Sequence, residues 1–329
     1  MKNQWLHVRI ILLSGFLGFS VFMTGCASEK TLSKAEQVIQ TEVKVKEKQE
    51  MVEKKILSDF QNKAYKIYNL KQLSELPAVL DKEIKKLSQE NAVKMFLNFE
   101  LAQRMALQND PYYGAISGEL VKAIGQSQPD GVIALNQLVI SDLELKKEIE
   151  IIKKSLFSLY KDQTGIYRIV DYQELQKYKS YISDECVGYI TYMASESSMP
   201  SIRNKCLVID REEAWRRLVY LDNYFTNYPV PSDDLIRNNL GKYYQDLLKN
   251  LIYGDDLKPN FDAKTGQLTP EVAQFFASHQ FGSDSDLYIP FENFKTQLIA
   301  DKGLLTPTVG IHIQQLLRIV SEILTEHID

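Results

Sequence analysis

Residues 141–160 read SDLELKKEIEIIKKSLFSLY. Ser141-Asp-Leu-Glu144 is a capping box. A short polar side chain there accepts one of the orphan N–H groups at a helix start, and a carboxylate three residues on reaches back to the cap. Leu145, Ile149, Ile152, Leu156 and Leu159 follow at alternating steps of four and three, the period of one helix face. The stretch predicts a helix running to about Leu159, with that stripe packed against neighbouring helices and the lysines and glutamates in water.

The same grammar repeats in both directions. Upstream, Pro77 opens a helix with Leu80, Ile84 and Leu87 on one face. Ser88 caps the next, which carries Met95, Phe99, Ala102 and Ala106. Asp110-Pro111 is a cap followed by a first-turn proline, and Gly125 closes that helix. Downstream, Ser183 caps a helix over Cys186 to Met193. Asp210-Arg-Glu-Glu213 starts another, with Trp215, Leu218, Leu221 and Phe225 inward. That helix ends at Tyr228-Pro229, and Pro231-Ser232 begins a helix with the stripe Ile236, Leu240, Tyr243, Leu247 and Leu251. Thr269-Pro270 and Thr306-Pro307 each read as a cap plus a first-turn proline. The last helix buries Ile313, Leu316, Leu317, Val320, Ile323 and Leu324. Residues 163–172, DQTGIYRIVD, break the pattern, and Ile166, Tyr167, Ile169 and Val170 favour an extended strand with no obvious partner. The expected fold is therefore all-α: a multi-helix bundle or irregular helical array on an N-terminal helical stalk, with at most a short strand near 165–170.

The chain has 329 residues and a formal charge of −4, with 39 basic and 43 acidic side chains spread along it. That is ample for a buried core and carries no basic footprint of nucleic-acid binding. Residues 27 to about 60 are rich in Lys, Glu and Gln. Leu32, Ala35, Ile39 and Val43, then Val52, Ile56 and Phe60, fall at helical spacing around a polar middle, which reads as a solvated helical spacer.

The N-terminus, MKNQWLHVRIILLSGFLGFSVFMTGC, sets the location. Lys2 and Arg9 precede an apolar run from Ile10 to Met23. Fourteen helical residues reach roughly 21 Å, short of the roughly 30 Å of a bilayer core, so the run fits an export signal rather than a span. Met23-Thr24-Gly25-Cys26 resembles the lipobox of bacterial lipoproteins, with Met23 where Leu is usual. The resemblance implies a diacylglyceryl thioether on Cys26, cleavage after Gly25, and a body lipid-anchored to the extracytoplasmic face of a bacterial membrane. Two or three acyl chains hold stably where one does not. The expected organisation is a cleaved signal (1–25), a lipid-anchored helical spacer (26–60), and two helical domains or subdomains (61–162 and 163–329).

Chemistry is sparse. With Cys26 lipidated, Cys186 and Cys206 remain, as a disulfide permitted by export or as two thiols. His279, His312 and His327 accompany no HExxH, GxSxG or SxxK arrangement, and no metal or cofactor motif is present. Residues 211–253 resemble a helix pair of a tetratricopeptide-type solenoid without its alanine and glycine landmarks. Residues 165–290 are similar to uncharacterised exported proteins of Gram-positive bacteria. Glu196-Ser197-Ser198 resembles the Glu-Ser pair of lytic transglycosylases, although the Gly-Leu-Met-Gln segment expected downstream is missing. The resemblance makes Glu196 a candidate general acid, a role that needs an apolar pocket to raise its pKa. Asn260 to Glu271 is similar to a calcium loop, but with Lys264 at a ligand position and its glycine one place late. The favoured expectation is a non-enzymatic scaffold or binding module that uses a helical surface for an envelope protein, peptide or glycan. The alternative is a cell-envelope hydrolase acting through Glu196.

Overall fold

The computed structural model describes residues 34–108, 116–125, 128–163, 165–229, 233–255 and 257–325. In chain order these form α1 (Lys34–Ala64), α2 (Leu70–Leu73), α3 (Leu76–Glu83), α4 (Gln89–Gln108), α5 (Gly118–Gly125), β1 (Gly131–Ile133) and α6 (Leu143–Lys154). There follow β2 (Phe157–Asp162), β3 (Gly165–Val170), α7 (Tyr172–Leu175), α8 (Asp184–Ser198), β4 (Ile202–Arg203) and β5 (Cys206–Leu207). The chain ends in α9 (Arg211–Asn227), α10 (Asp234–Tyr253), α11 (Pro270–Ser278), α12 (Tyr288–Ala300) and α13 (Pro307–Thr325). The fold is mainly all-α, with two small antiparallel sheets.

Residues 1–49 and 50–329 are separate units. The first contributes the start of α1, where positions 41–49 are exposed. The second is compact and already includes the end of α1. There Phe60 is buried, and Glu53 accepts from the Ser88 backbone N–H (3.0 Å), the Ser88 hydroxyl (2.6 Å) and Asn91 (2.6 Å), closing the start of α4.

The capping box around residue 141 resolves with Asp142 as the cap, accepting from the N–H groups of Glu144 (2.8 Å) and Leu145 (3.0 Å). The helix is shorter than its stripe predicts. It stops at Lys154; Leu156 takes a left-handed φ of 55°, and the chain leaves as β2. Buried Gln103 of α4 donates to the carbonyls of Ser155 (2.9 Å) and Leu156 (3.0 Å), and the Leu156 carbonyl also accepts from the Asp171 N–H (3.0 Å), so the carbonyls freed at the helix end find partners. Phe157 and Leu159 face the core while Ser158 and Tyr160 are half-buried. A helical step of three from Leu156 and an alternation of two from Phe157 both place Leu159 inward, so the local pattern fits both. Pairing decided between them. β2 runs antiparallel to β3, from Phe157↔Val170 to Asp162↔Gly165, and on its other edge to β1. The strand expected at 165–170 thus has a partner in the residues just before it, and position 162/163 lies at the hairpin turn.

The caps at Ser183 and Asp210 form as expected, and Pro77, Pro270 and Pro307 each sit in a first helical turn. Asp110-Pro111 and Pro231-Ser232 lie outside the described residues. α9 and α10 make a helical hairpin with Phe225 stacked on Tyr244 (centroids 5.6 Å apart). Trp215 packs against Phe275, His279, Phe281 and Phe291 at 4.8–5.9 Å. α10 ends at Gly254, whose φ of 77° brings the backbone so close that a Cβ would lie 2.2 Å from the Lys258 carbonyl.

One carboxylate lies inside the α9–α10 packing. Asp222 is buried; its Oδ1 accepts from Tyr244 (2.7 Å) and Ser285 (2.7 Å), while Oδ2 has no partner among the described residues. Burial raises its pKa and outweighs the two hydrogen bonds, and the charges of Asp284 and Asp286 add to the rise. A carboxyl with a folded pKa above its unfolded value holds extra protons when folded. Its stability contribution is therefore present at acid pH and is lost as pH rises through the folded value. Asp222→Asn removes that titration while leaving the acceptor in place. The difference in urea midpoint, variant minus parent, is expected to become more positive from pH 4 to pH 7; a flat difference would contradict the assignment.

Candidate functional site

α10 carries two stripes. Ile236, Leu240, Tyr244, Leu247 and Leu251 are buried. The second stripe is Asn239, Lys242, Tyr243, Asp246, Lys249 and Asn250, at helical spacing, and it lines a cleft of about 740 Å³. Tyr243 therefore belongs to the cleft wall and Tyr244 to the core, one residue from the expected stripe.

The opposite rim is the β4–β5 hairpin, which contributes Ile202, Asn204 and Lys205. Asn204 and Lys205 have φ of 50° and 68°, the left-handed pair of a tight two-residue hairpin turn. The hairpin is held from outside. The Arg203 guanidinium lies 3.7 Å from the centroid of the Tyr160 ring, which stacks on Tyr167, and it pairs with Asp162. The Leu207 N–H donates to Asp255 Oδ2 (3.1 Å), and Asp255 Oδ1 accepts from the N–H groups of Leu257 and Lys258. Asp255 is thus spent on its own loop, although it lines the cleft.

Arg104 of α4 enters the wall from a buried network. Its Nε donates to Glu100 Oε1 (2.9 Å), and its Nη2 donates to the hydroxyls of Tyr172 (2.8 Å) and Tyr189 (3.3 Å). Both tyrosine hydroxyls donate in turn to Glu100 Oε1, and Asn239 on the cleft wall donates to the Tyr189 oxygen (2.8 Å). Burial, then the Glu100 charge, push both tyrosines well above their ordinary pKa, so they remain protonated donors. Burial works against the charge on Arg104, but the oxygens of Tyr172, Tyr189 and Glu100 prevail and hold its pKa above the ordinary arginine value. Arg104 Nη1 has no protein hydrogen bond among the described residues. The guanidinium is fixed on one edge and open on another.

The expected site residues lie elsewhere. Cys26 is outside the described residues. Cys186, in the first turn of α8, is buried, and burial pushes its thiol up. Cys206 sits half-buried on β5, and no disulfide joins the two. Glu196, in the last turn of α8, faces Arg217. Its Oε1 accepts from Arg217 (2.8 Å), and its Oε2 accepts from the Ser201 N–H (2.9 Å) and hydroxyl (2.9 Å). Arg217 also donates to Glu213 (2.7 Å) and to the Met199 carbonyl (2.7 Å), and Arg216 and Arg217 hold Glu213 down at about 2. A general acid needs a proton to give and a path to substrate. Glu196 faces a guanidinium with both oxygens occupied and does not line the cleft, so its geometry is that of a clamp between α8, β4 and α9.

His279 Nε2 lies 2.9 Å from Glu212 Oε2, and its Nδ1 lies 2.8 Å from the Phe275 carbonyl and 3.1 Å from the Ser278 hydroxyl. A carbonyl can only accept, so Nδ1 carries the proton and has no lone pair for a serine. Asn260, first in the calcium-like loop, is buried. It donates to the Leu251 and Ile252 carbonyls and accepts from Arg211 (3.0 Å); Asp262 accepts from Lys264 and Thr265. Those side chains hold a turn.

The cleft escaped the sequence reading, although its α10 stripe is visible as amide and charged residues at helical spacing opposite the leucines. Glu100 and Arg104 are four apart and read as an ordinary solvated helix pair; nothing local marks them as buried. Compared with known protein families, curated proteins and solved structures, the chain matches none.

Proposed function

We propose that this is an exported, lipid-anchored binding protein of a bacterial envelope, non-enzymatic, which takes its ligand in the α10 cleft. The observation that carries the reading is the cleft wall: amides, a tyrosine and open cationic donors converge from α4, α10 and the β4–β5 turn on one concavity. Polar groups placed in this way orient a ligand. The lipobox supplies the location. Among the described residues no helix is long and apolar enough to cross a membrane, which accords with tethering through Cys26 in an envelope that the signal assigns.

Two arms test the proposal. Cys26→Ser is expected to move most of the protein from the membrane to the soluble fraction and to abolish palmitate labelling; retention of either by the variant overturns the anchor. A photo-crosslinking side chain at Asn204, on the rim, is expected to capture envelope peptide or glycan in whole cells, and capture is expected to fall at least tenfold with Tyr243→Ala. Zymographic clearing of cell wall by the parent and none by Glu196→Gln would overturn the binding reading in favour of a hydrolase.

A further inference from the structure

Lys205, Lys242 and Lys249 line the cleft and are exposed, and their ammonium groups make no ion pair or hydrogen bond with any described residue. Several other lysines lie beside a carboxylate: Lys55 with Asp59, Lys94 with Glu90, Lys147 with Glu144, Lys153 with Glu150, Lys177 with Asp81. Lys242 and Lys249 on α10 and Lys205 on the facing rim set three unpaired ammonium groups around one concavity, and a bound anion would offset their mutual repulsion. Arg104 adds an open guanidinium edge whose orientation is set in advance by Glu100, Tyr172 and Tyr189.

We propose that the cleft binds a phosphate ester of a polyol or sugar. This rests on the reading that the cleft is the ligand site, and it names the ligand. The free cations are lysines, which are compact point charges with rotatable donors suited to the many oxygens of a phosphate. The one arginine already spends its planar fork on the protein, so the bidentate carboxylate geometry is not on offer. Asn204, Asn239 and Tyr243 offer amide and phenol groups for hydroxyls beside the phosphate. Asp246, also on the wall, accepts from hydroxyls and opposes a densely charged polyanion, which disfavours nucleic acid. The phosphate could come from a free monoester or from a diester in a polymer or lipid headgroup; the shared chemistry is one or two negative charges beside hydroxyl groups.

The test is isothermal titration of the full chain in detergent at low salt with four probes: glycerol 1-phosphate, glycerophosphoglycerol, gluconate and glycerol. Both phosphate esters are expected to bind, gluconate at least tenfold more weakly, and glycerol not at all. Lys242→Gln/Lys249→Gln, a double change of exposed side chains, is expected to lose at least tenfold in affinity with an unchanged melting temperature. Raising the salt from 0.05 to 0.5 M should weaken binding in the parent more than in the variant. A tighter monoester points to a free phosphate, and an equal or tighter diester to a polymer or headgroup. Equal binding of gluconate and phosphate esters, or an unaffected double variant, overturns the proposal. If no phosphate ester binds while the Asn204 crosslink still captures envelope material, the phosphate assignment fails and the cleft stands; if both fail, the cleft reading falls as well.

Discussion

Arg217→Ala is expected to cost about 3–5 kcal/mol, because it leaves the Glu196 charge buried without its partner. The two side chains are only 3% exposed each, and Arg217 is the shared donor to Glu196, Glu213 and the Met199 carbonyl. Removing it strips a sealed carboxylate of its countercharge and frees the end of α8 from α9. The partner that remains, and not the pair itself, sets the size of the effect. Glu196→Gln/Arg217→Met should therefore recover much of the loss: the amide oxygen still accepts from Ser201, and Glu213 keeps Arg216 at 2.6 Å. Urea unfolding of the single and double variants measures this. A single-variant loss below about 1 kcal/mol, the range of exposed pairs, would show that the clamp is hydrated.

Glu100→Ala is the second large expected loss, again about 3–5 kcal/mol. It orphans the hydroxyls of Tyr172 and Tyr189 and the Nε of Arg104, and each buried group left without an acceptor costs roughly 1–3 kcal/mol. The Arg104 charge also loses its countercharge, although its partial exposure to the cleft lets water offset part of that. Glu100→Gln keeps an acceptor and the volume, so the expected loss is smaller, roughly 1–2 kcal/mol. Both variants also release Arg104 from its fixed orientation. Chemical denaturation therefore gives the stability loss, and titration with glycerol 1-phosphate gives a parallel fall in affinity. A stable Glu100→Ala protein with parental affinity would mean that the network neither supports the fold nor positions the guanidinium.

The helical framework was largely legible because its causes are local. Caps at Ser183 and Asp210, first-turn prolines at Pro77, Pro270 and Pro307, and the stripes of α9 and α13 all follow from interactions between residues at most four apart. The reading failed where two periods fit equally well. At residues 156–160 the stripe of α6 runs into an alternating strand, and the partner that selects the strand, β3, lies across a turn. It slipped by one residue at Tyr243 and Tyr244, because adjacent tyrosines offer the same hydrophobic surface, and only the buried acceptor Asp222 shows which of them is inside.

The sequence by itself determined two things: that the chain is mainly helical, and the lipobox-like signal from which the envelope location is proposed. Both reside in contiguous residues. Tertiary structure alone decided the cleft, the burial of Glu100 and the sealing of Glu196 by Arg217. Each of these joins elements 20 or more positions apart. Whether a carboxylate at a given position is a solvated surface charge or a buried acceptor depends on which faces the packing removes from water, and that is a property of the whole assembled core, not of any one helix.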